Sequence, residues 1–339
     1  MGVFGTGKIT LFTAATSSHQ KRPTEEEIRK WQGRLDSYAA RVLDTADVQV
    51  ATKVDYEAKV PVPQRILKAA HSVGAGYIII ANRGHSKFRE VLMGSTVTNL
   101  LQQTDLPVFL IKLRQEQEPE QEPDSSGHPG GRDESFHSGE GGKTGESDQS
   151  DDSAKIDIGG EGSISRKSDN NPKLRCTAPC KDALEHILYP TDFSDTARLA
   201  FDVLCRLAGG PSKRITLFHV QASGKVDLTN AAQLEEFNRI DHERLETLSR
   251  EIKAQARVDV DIALGQGPAA KLIVDKARLT GATMILMGSQ GRGYISDLFL
   301  GGVTFQVLRN TKVPVLVIPA RRFSSVGNQQ ITGNEFGNE

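Results

Sequence analysis

Three cysteines, Cys176, Cys180 and Cys205, are too few and too unevenly placed for a disulfide framework. Cys176 and Cys180 stand close together, but no second cysteine or histidine pair accompanies them at zinc-site spacing, so no metal site is expected. Charge of one sign is also lacking: 42 Lys and Arg oppose 43 Asp and Glu, a formal net charge of −1. Without a global basic field, nucleic acid is not an expected partner. No apolar run approaches the ~20 residues that span a bilayer, and Met1 leads into no signal-peptide pattern, so a cytoplasmic chain with no membrane partner is expected. No Ser/His/Asp or Cys/His set, general base or carboxylate cluster stands out, and no enzyme is expected.

What remains is ordinary soluble composition, 37% apolar and 25% charged, over a length suited to about two domains. The densest signal runs from Met287 to Pro319. An apolar run, Met284–Met287, meets a Gly-rich turn; a second glycine pair, Gly301 and Gly302, opens a helix-patterned segment; Val313–Ile318 then alternates as a strand. Strand, glycine loop and helix together can hold a phosphate, because backbone N–H groups and a helix N-terminus converge on the anion. The loop lacks the Lys-Ser/Thr ending of a P-loop. The same glycines can equally serve only to make tight strand-to-helix turns.

Upstream, Lys8–Ala14 reads as a strand, and Thr24 with Glu27 forms a capping box for a helix carrying Ile28, Trp31, Leu35, Tyr38 and Val42 on one inward face. A short strand near Val48–Val54, a helix over 63–72, the buried-strand run Tyr77–Ala81, a helix over 96–103 and the strand Leu106–Ile111 follow. In the second half, Glu185–Tyr189 is a strand and Ser194 caps a helix. Ile215–Val220 (ITLFHV) matches ITLFTA of the first half; a helix over 234–252 turns Phe237, Ile240, Leu245 and Leu248 inward; Val258–Ile262 alternates, and a helix spans 269–279.

The halves are a repeat. Pro61 falls on Pro268, Gly74 on Gly281, Gly84 on Gly291, Gly94 on Gly301 and Pro107 on Pro314. Alternating strands and helices predict an α/β fold of two doubly wound parallel sheets. The first copy begins at the strand that is second in the other copy, so its opening strand and helix have no counterpart, and the hydrogen-bonding groups beside that place need another partner. Residues 114–182 are acidic, Gly/Ser/Pro/Glu-rich and nearly free of large apolar side chains, which predicts a disordered linker; His128 and His137 stand alone in it. The expected organisation is a first domain over 1–113, the linker, a complete domain over 183–321 and a disordered tail over 322–339.

Both halves resemble the universal stress protein family. The resemblance rests on PTDFS at Pro190–Ser194 and on the G-x-x-G-x9-G-[ST] pattern before a PVLV strand, kept here by Gly288, Gly291 and Gly301, with Arg292 and Gly293 completing GRG. It implies five-stranded domains of the Rossmann-like, adenine-nucleotide alpha-hydrolase-like class, pairing through their last strands within one chain or between two. Some members bind ATP, with Mg as an accompanying ion. Carried over, this places Asp192 at the nucleoside with Pro190 and Thr191 shaping the turn, His219 and Val220 beside the base, and Met287, Gly288, Gly291, Arg292, Gly301 and Gly302 along the phosphates. Residue 302 is Gly where the pattern has Ser or Thr, which removes one hydroxyl donor. Asp192 could equally be a helix-capping carboxylate, and His219 a core histidine. In the first half Ala81 replaces the first glycine, no counterpart of Asp192 exists, and no nucleotide is expected there. Two readings stand: a stress-response module whose second domain binds an adenine nucleotide, and an interaction scaffold of paired domains that binds none.

Overall fold

The computed structural model describes residues 7–15, 23–57, 59–82, 93–115, 174–176, 182–210, 212–221, 231–291 and 300–320. The second half supplies β7 (His186–Thr191), α4 (Asp195–Ala208), β8 (Arg214–Gln221), α5 (Ala231–Gln255), β9 (Asp259–Gln266), α6 (Ala269–Leu279), β10 (Met284–Gly288), α7 (Gly302–Asn310) and β11 (Val315–Ile318). Its strands lie in the order β9-β8-β7-β10-β11, all parallel. β7, β10 and β11 are buried along their whole length, as expected of continuous apolar runs covered on both faces.

The first half supplies β1 (Lys8–Ala14), α1 (Glu25–Leu43), β2 (Gln49–Asp55), α2 (Val62–Ser72), β3 (Ile78–Ala81), α3 (Ser95–Gln103) and β4 (Val108–Ile111). The capping box of Thr24 and Glu27 is formed, with both reciprocal hydrogen bonds. The repeat is visible in backbone detail. Gly74 and Gly281 follow α2 and α6 with φ of +62° and +66°. After each, the next residue's N–H returns to a helical carbonyl, Ala75 to Ala70 and Ala282 to Ala277, the left-handed glycine ending of a helix. Gly94 and Gly301 both act as N-caps of the following helix, with φ −59° at each.

β4 adds to β11 antiparallel, extending the main sheet to seven strands, β3-β4-β11-β10-β7-β8-β9. At the centre of this seam Phe109 faces Leu316. These are the same position of the repeat, each two residues beyond its proline, so the halves meet about a local twofold axis. One apolar core on the α2, α3, α6 and α7 face runs unbroken across the seam, from Ile78, Leu100 and Leu110 to Val307, Val315 and Val317. Lys112 is buried just beyond β4, and its ammonium donates to the carbonyl of Leu308 in the last turn of α7.

Among the described residues, β1 and β2 pair only with each other. Their counterparts β8 and β9 join the main sheet because β7 lies between β8 and β10; no described residue of the first half fills that place. The consequence is exposure. No residue of β1 or β2 is fully buried. On one face of the main sheet exposure rises from 4% at Leu316 and 5% at Phe109 to 42% at Ile79, where helix cover ends. The ladder is tied to α2 by Arg65, which is 1% exposed; its guanidinium donates to the Asp55 carboxylate (2.8 Å) and to the carbonyls of Ala15 and Asp55 at the strand ends.

Two expectations need correction. Tyr38 on α1 and Phe237 on α5 are exposed, although Val42, a turn beyond Tyr38, and Leu234, just before Phe237 on the same stripe, are half-buried. The buried face of α5 includes Asp241, Leu245, Ser249 and Ile252 instead. At the borders of the stretch expected to be a linker, β5 (Leu113–Gln115) and β6 (Leu174–Cys176) are short strands, and a turn leads into β7 from Asp182.

Two predictions follow from this packing. Removing one partner of a buried ion pair typically costs about 3–5 kcal/mol. Arg65→Ala is therefore expected to raise amide hydrogen exchange across β1 and β2 while β7, β10 and β11 keep their protection, as read by exchange mass spectrometry. Burial lowers the Lys112 ammonium from its ordinary 10.5 to about 8. Between these values the unfolded chain holds a proton that the folded chain does not, so stability rises with pH across that window; below about pH 8 the full burial penalty is present. Urea denaturation from pH 7.5 to 10.5 should show wild type gaining roughly 3 kcal/mol relative to Lys112→Met.

Candidate functional site

β7 is the first strand of its half and sits in the middle of the sheet, with β8 and β9 laid to one side and β10 and β11 to the other. Such a reversal of strand order opens a crevice at the carboxyl ends of the two central strands, where α/β proteins bind ligands. Here the opening has a visible cause: β7 and β10 are paired only at Met284–Ile187 and Ile285–Leu188. Beyond those pairs the strands run on to Thr191 and Gly288 without a shared ladder.

The crevice is a cavity of about 260 Å³, near the small end of ligand pockets, which run roughly 300–1,000 Å³. Pro190, Thr191 and Asp192 form one lip and Met287, Gly288, Gln290 and Gly291 the other. Phe218, Val220, Ala269 and Ile273 make an apolar wall, and Gly301, Gly302, Val303 and Thr304 close the far end. Three helices begin here. α4 opens under Ser194, whose hydroxyl accepts the Ala197 N–H, and α6 starts at the crevice residue Ala269. α7 begins at Gly302 with no side-chain cap, and its first intrahelical bond runs from Phe305 N–H to the Gly301 carbonyl. The N–H groups of Gly302, Val303 and Thr304 precede that bond, so the uncapped positive end of α7 faces the cavity.

Asp192 is the one charged side chain among the described residues lining the crevice. It lies in a turn fixed by local hydrogen bonds: Thr191 Oγ1 accepts the Phe193 N–H and Asp192 Oδ1 accepts the Ser194 N–H. Tyr189, 1% exposed, donates its hydroxyl to the Ala197 carbonyl and binds the start of α4 to β7; burial pushes its phenol well above the ordinary range. Thr304 donates to the Gly288 carbonyl and anchors α7 to β10.

Most of the glycines answer to packing. A Cβ on Gly288 would stand 2.8 Å from Thr196 Cγ2, one on Gly291 would stand 2.5 Å from Asp192 Oδ2, and one on Gly301 would stand 3.2 Å from the Ser289 carbonyl oxygen. Gly302 alone of the four has nothing within 4 Å. The glycine spacing thus builds the crevice, and the free helix end and Asp192 are what it offers a ligand.

Of the residues singled out from sequence, Pro190, Thr191, Asp192, Val220, Met287, Gly288, Gly291, Gly301 and Gly302 line one cavity. Arg292 lies outside the described residues. His219 does not line it. Strand alternation turns Phe218 and Val220 to the crevice and His219 to the opposite face, where it is 8% exposed. The wall residues Phe218 and Ile273 escaped the sequence reading. The i, i+2 relation of Phe218 to Val220 could have found the first, and helical spacing from Ala269 the second.

Gly288→Ala should destabilise by about 1–3 kcal/mol in chemical denaturation, since Thr196 is backed by its own helix. Gly302→Ala should be neutral or stabilising by up to about 1 kcal/mol at the open first position of α7.

The profile of the universal stress protein family matches residues 8–112 and 183–319. The chain is 28% identical over 151 residues to the universal stress protein MJ0577 of Methanocaldococcus jannaschii, covering 39% of this chain and 93% of that protein. It is 26% identical over 143 residues to the universal stress protein YxiE of Bacillus subtilis, covering 39% and 97%. A solved universal stress protein from Archaeoglobus fulgidus shares the fold over 93% of this chain and 86% of its own, with 17% identity and a TM-score of 0.52. With matches to both halves of the repeat, the chain belongs to the universal stress protein family.

Proposed function

We propose that this universal stress protein binds an adenine nucleotide, with ATP as the leading candidate, in the crevice between β7 and β10, and that it acts as a binding module without catalysis. The observation that carries the reading is the uncapped N-terminus of α7 opening on a crevice whose opposite lip presents Asp192. An anion is favoured at the first and a sugar hydroxyl can donate to the second. The apolar wall of Phe218, Val220 and Ile273 suits a flat base. The phosphates would lie along Gly288, Gly291, Gly301 and Gly302, and Arg292 follows directly in the chain. Mg would arrive with the triphosphate, since no group of three or more His, Cys, Asp or Glu among the described residues is arranged to hold a metal.

Gly302 tempers the affinity: the N–H donors remain and one hydroxyl donor is lost, and a hydrogen bond to a charged group is worth about 1.5–3 kcal/mol. A Cβ at residue 302 meets nothing within 4 Å. Calorimetric titration of the full chain with Mg-ATP is expected to give binding that Asp192→Ala weakens and Gly302→Ser tightens about tenfold or more. No detectable binding of ATP or AMP up to millimolar concentration would sink this reading and leave the scaffold reading, in which the crevice is a remnant and the paired halves are the working surface.

A further inference from the structure

The residue after Asp192 is held in an uncommon conformation, and a buried polar chain explains how. Phe193 has φ +59°, the one positive value among the described non-glycine residues. A left-handed bulky residue persists only where its surroundings over-determine it. The Phe193 ring stacks on His219, with centroids 4.7 Å apart, and the Arg244 guanidinium of α5 lies 5.4 Å from its centre. His219 Nδ1 is 2.7 Å from the Thr191 carbonyl oxygen, which fixes this nitrogen as the donor. Its Nε2 faces Asp241 Oδ2 at 3.5 Å, an ion pair when the ring carries a proton on both nitrogens. Asp241 also accepts from Gln221 Nε2 at 2.9 Å and lies 3.3 Å from Arg244. His219, Asp241 and Gln221 are each more than nine-tenths buried, and none of them lines the crevice.

We infer that His219 and Asp241 are positioning residues for the nucleoside: they clamp the carbonyl before Asp192 and the ring after it, and so aim the Asp192 carboxylate across the crevice. The inference rests on the nucleotide reading and deepens it, because it assigns the nucleoside end of the site to a support reaching back to α5. The glycine loop and the start of α7 have their own anchors, Thr304 on Gly288 and Ser289 Oγ on the Ala320 N–H, and do not depend on this chain. Loss of the clamp should therefore weaken recognition of the nucleoside and spare recognition of phosphate.

The test compares wild type, His219→Phe, Asp241→Leu and Asp241→Asn as full chains. His219→Phe keeps a ring for Phe193 to stack on and removes the bond to the Thr191 carbonyl. The expected result is ATP affinity reduced about tenfold in His219→Phe and Asp241→Leu, inorganic triphosphate affinity changed less than about twofold, and ATP binding largely restored in Asp241→Asn, which keeps an acceptor for Gln221 and offers its amide as a donor to His219 Nε2. Without ligand, exchange of the Phe193 and Ser194 amides should quicken in His219→Phe. ATP affinity equal to wild type, an equal loss for ATP and triphosphate, or unchanged exchange at Phe193 and Ser194 would overturn the inference. Failure of wild type itself to bind ATP would be a separate result, overturning the nucleotide reading and the nucleoside role with it.

Discussion

The sheet depends on β7 being hydrogen-bonded along both edges. It pairs with β8 over six residues and with β10 over only two, and that inequality shapes the second half. The long ladder carries β8 and β9 into the sheet. The short one holds β10 at the base and lets the carboxyl ends part, which makes room for a crevice whose lips are the last residues of each strand. The first half shows the same architecture without this strand. β1 and β2, counterparts of β8 and β9, stand as a ladder of two with no fully buried residue, and Arg65 replaces the sheet as their anchor. A buried arginine is a costly anchor unless every donor is matched. It reaches the Asp55 carboxylate and two strand-end carbonyls, so it is well partnered, but a few polar bonds do not reproduce the apolar burial that a central strand provides.

This asymmetry explains why two copies of one pattern reach different ends. In the second half the crevice is roofed by three helix starts and carries a carboxylate on its lip. In the first half the strand that would bring such a carboxylate has no counterpart among the described residues. That half joins instead through β4, which takes the outer edge of β11 and carries the apolar core across the seam. Covering an edge strand removes a row of unpaired backbone groups that would otherwise invite pairing with other chains.

Much of this could be read from the sequence, for identifiable reasons. Glycine at a helix end and proline before a strand leave local marks, so Gly74 with Gly281 and Pro107 with Pro314 revealed the repeat, and their backbones agree in detail. The strand-end residues of the crevice could be found because the motif ties them to fixed positions. Periodicity was less informative about neighbours. It shows which face of α1 or α5 is apolar, not which residues on that face meet a partner, and so Tyr38 and Phe237 are exposed while Val42 and Leu234 beside them are half-buried. His219 marks a different limit: the resemblance named the strand end, but only the alternation of Phe218, His219 and Val220 decides which side chain enters the crevice. Asp241, on α5 and twenty-two residues along, could not be linked to His219 without the tertiary fold.

The seam and the crevice also share one element, and this ties the two halves together physically. α7 begins at the crevice and ends at the seam, only nine residues long. At its C-terminal end the buried Lys112 ammonium of the first half donates to the Leu308 carbonyl. A cation there donates to a carbonyl in the last turn and complements the negative end of the helix dipole, while the positive end faces the crevice. Burial works against the same charge, lowering Lys112 to about 8, so at neutral pH it stays protonated with little in reserve. The first half, though no carboxylate lip of its own is found among the described residues, thereby helps to hold the helix whose uncapped start faces the second half's crevice.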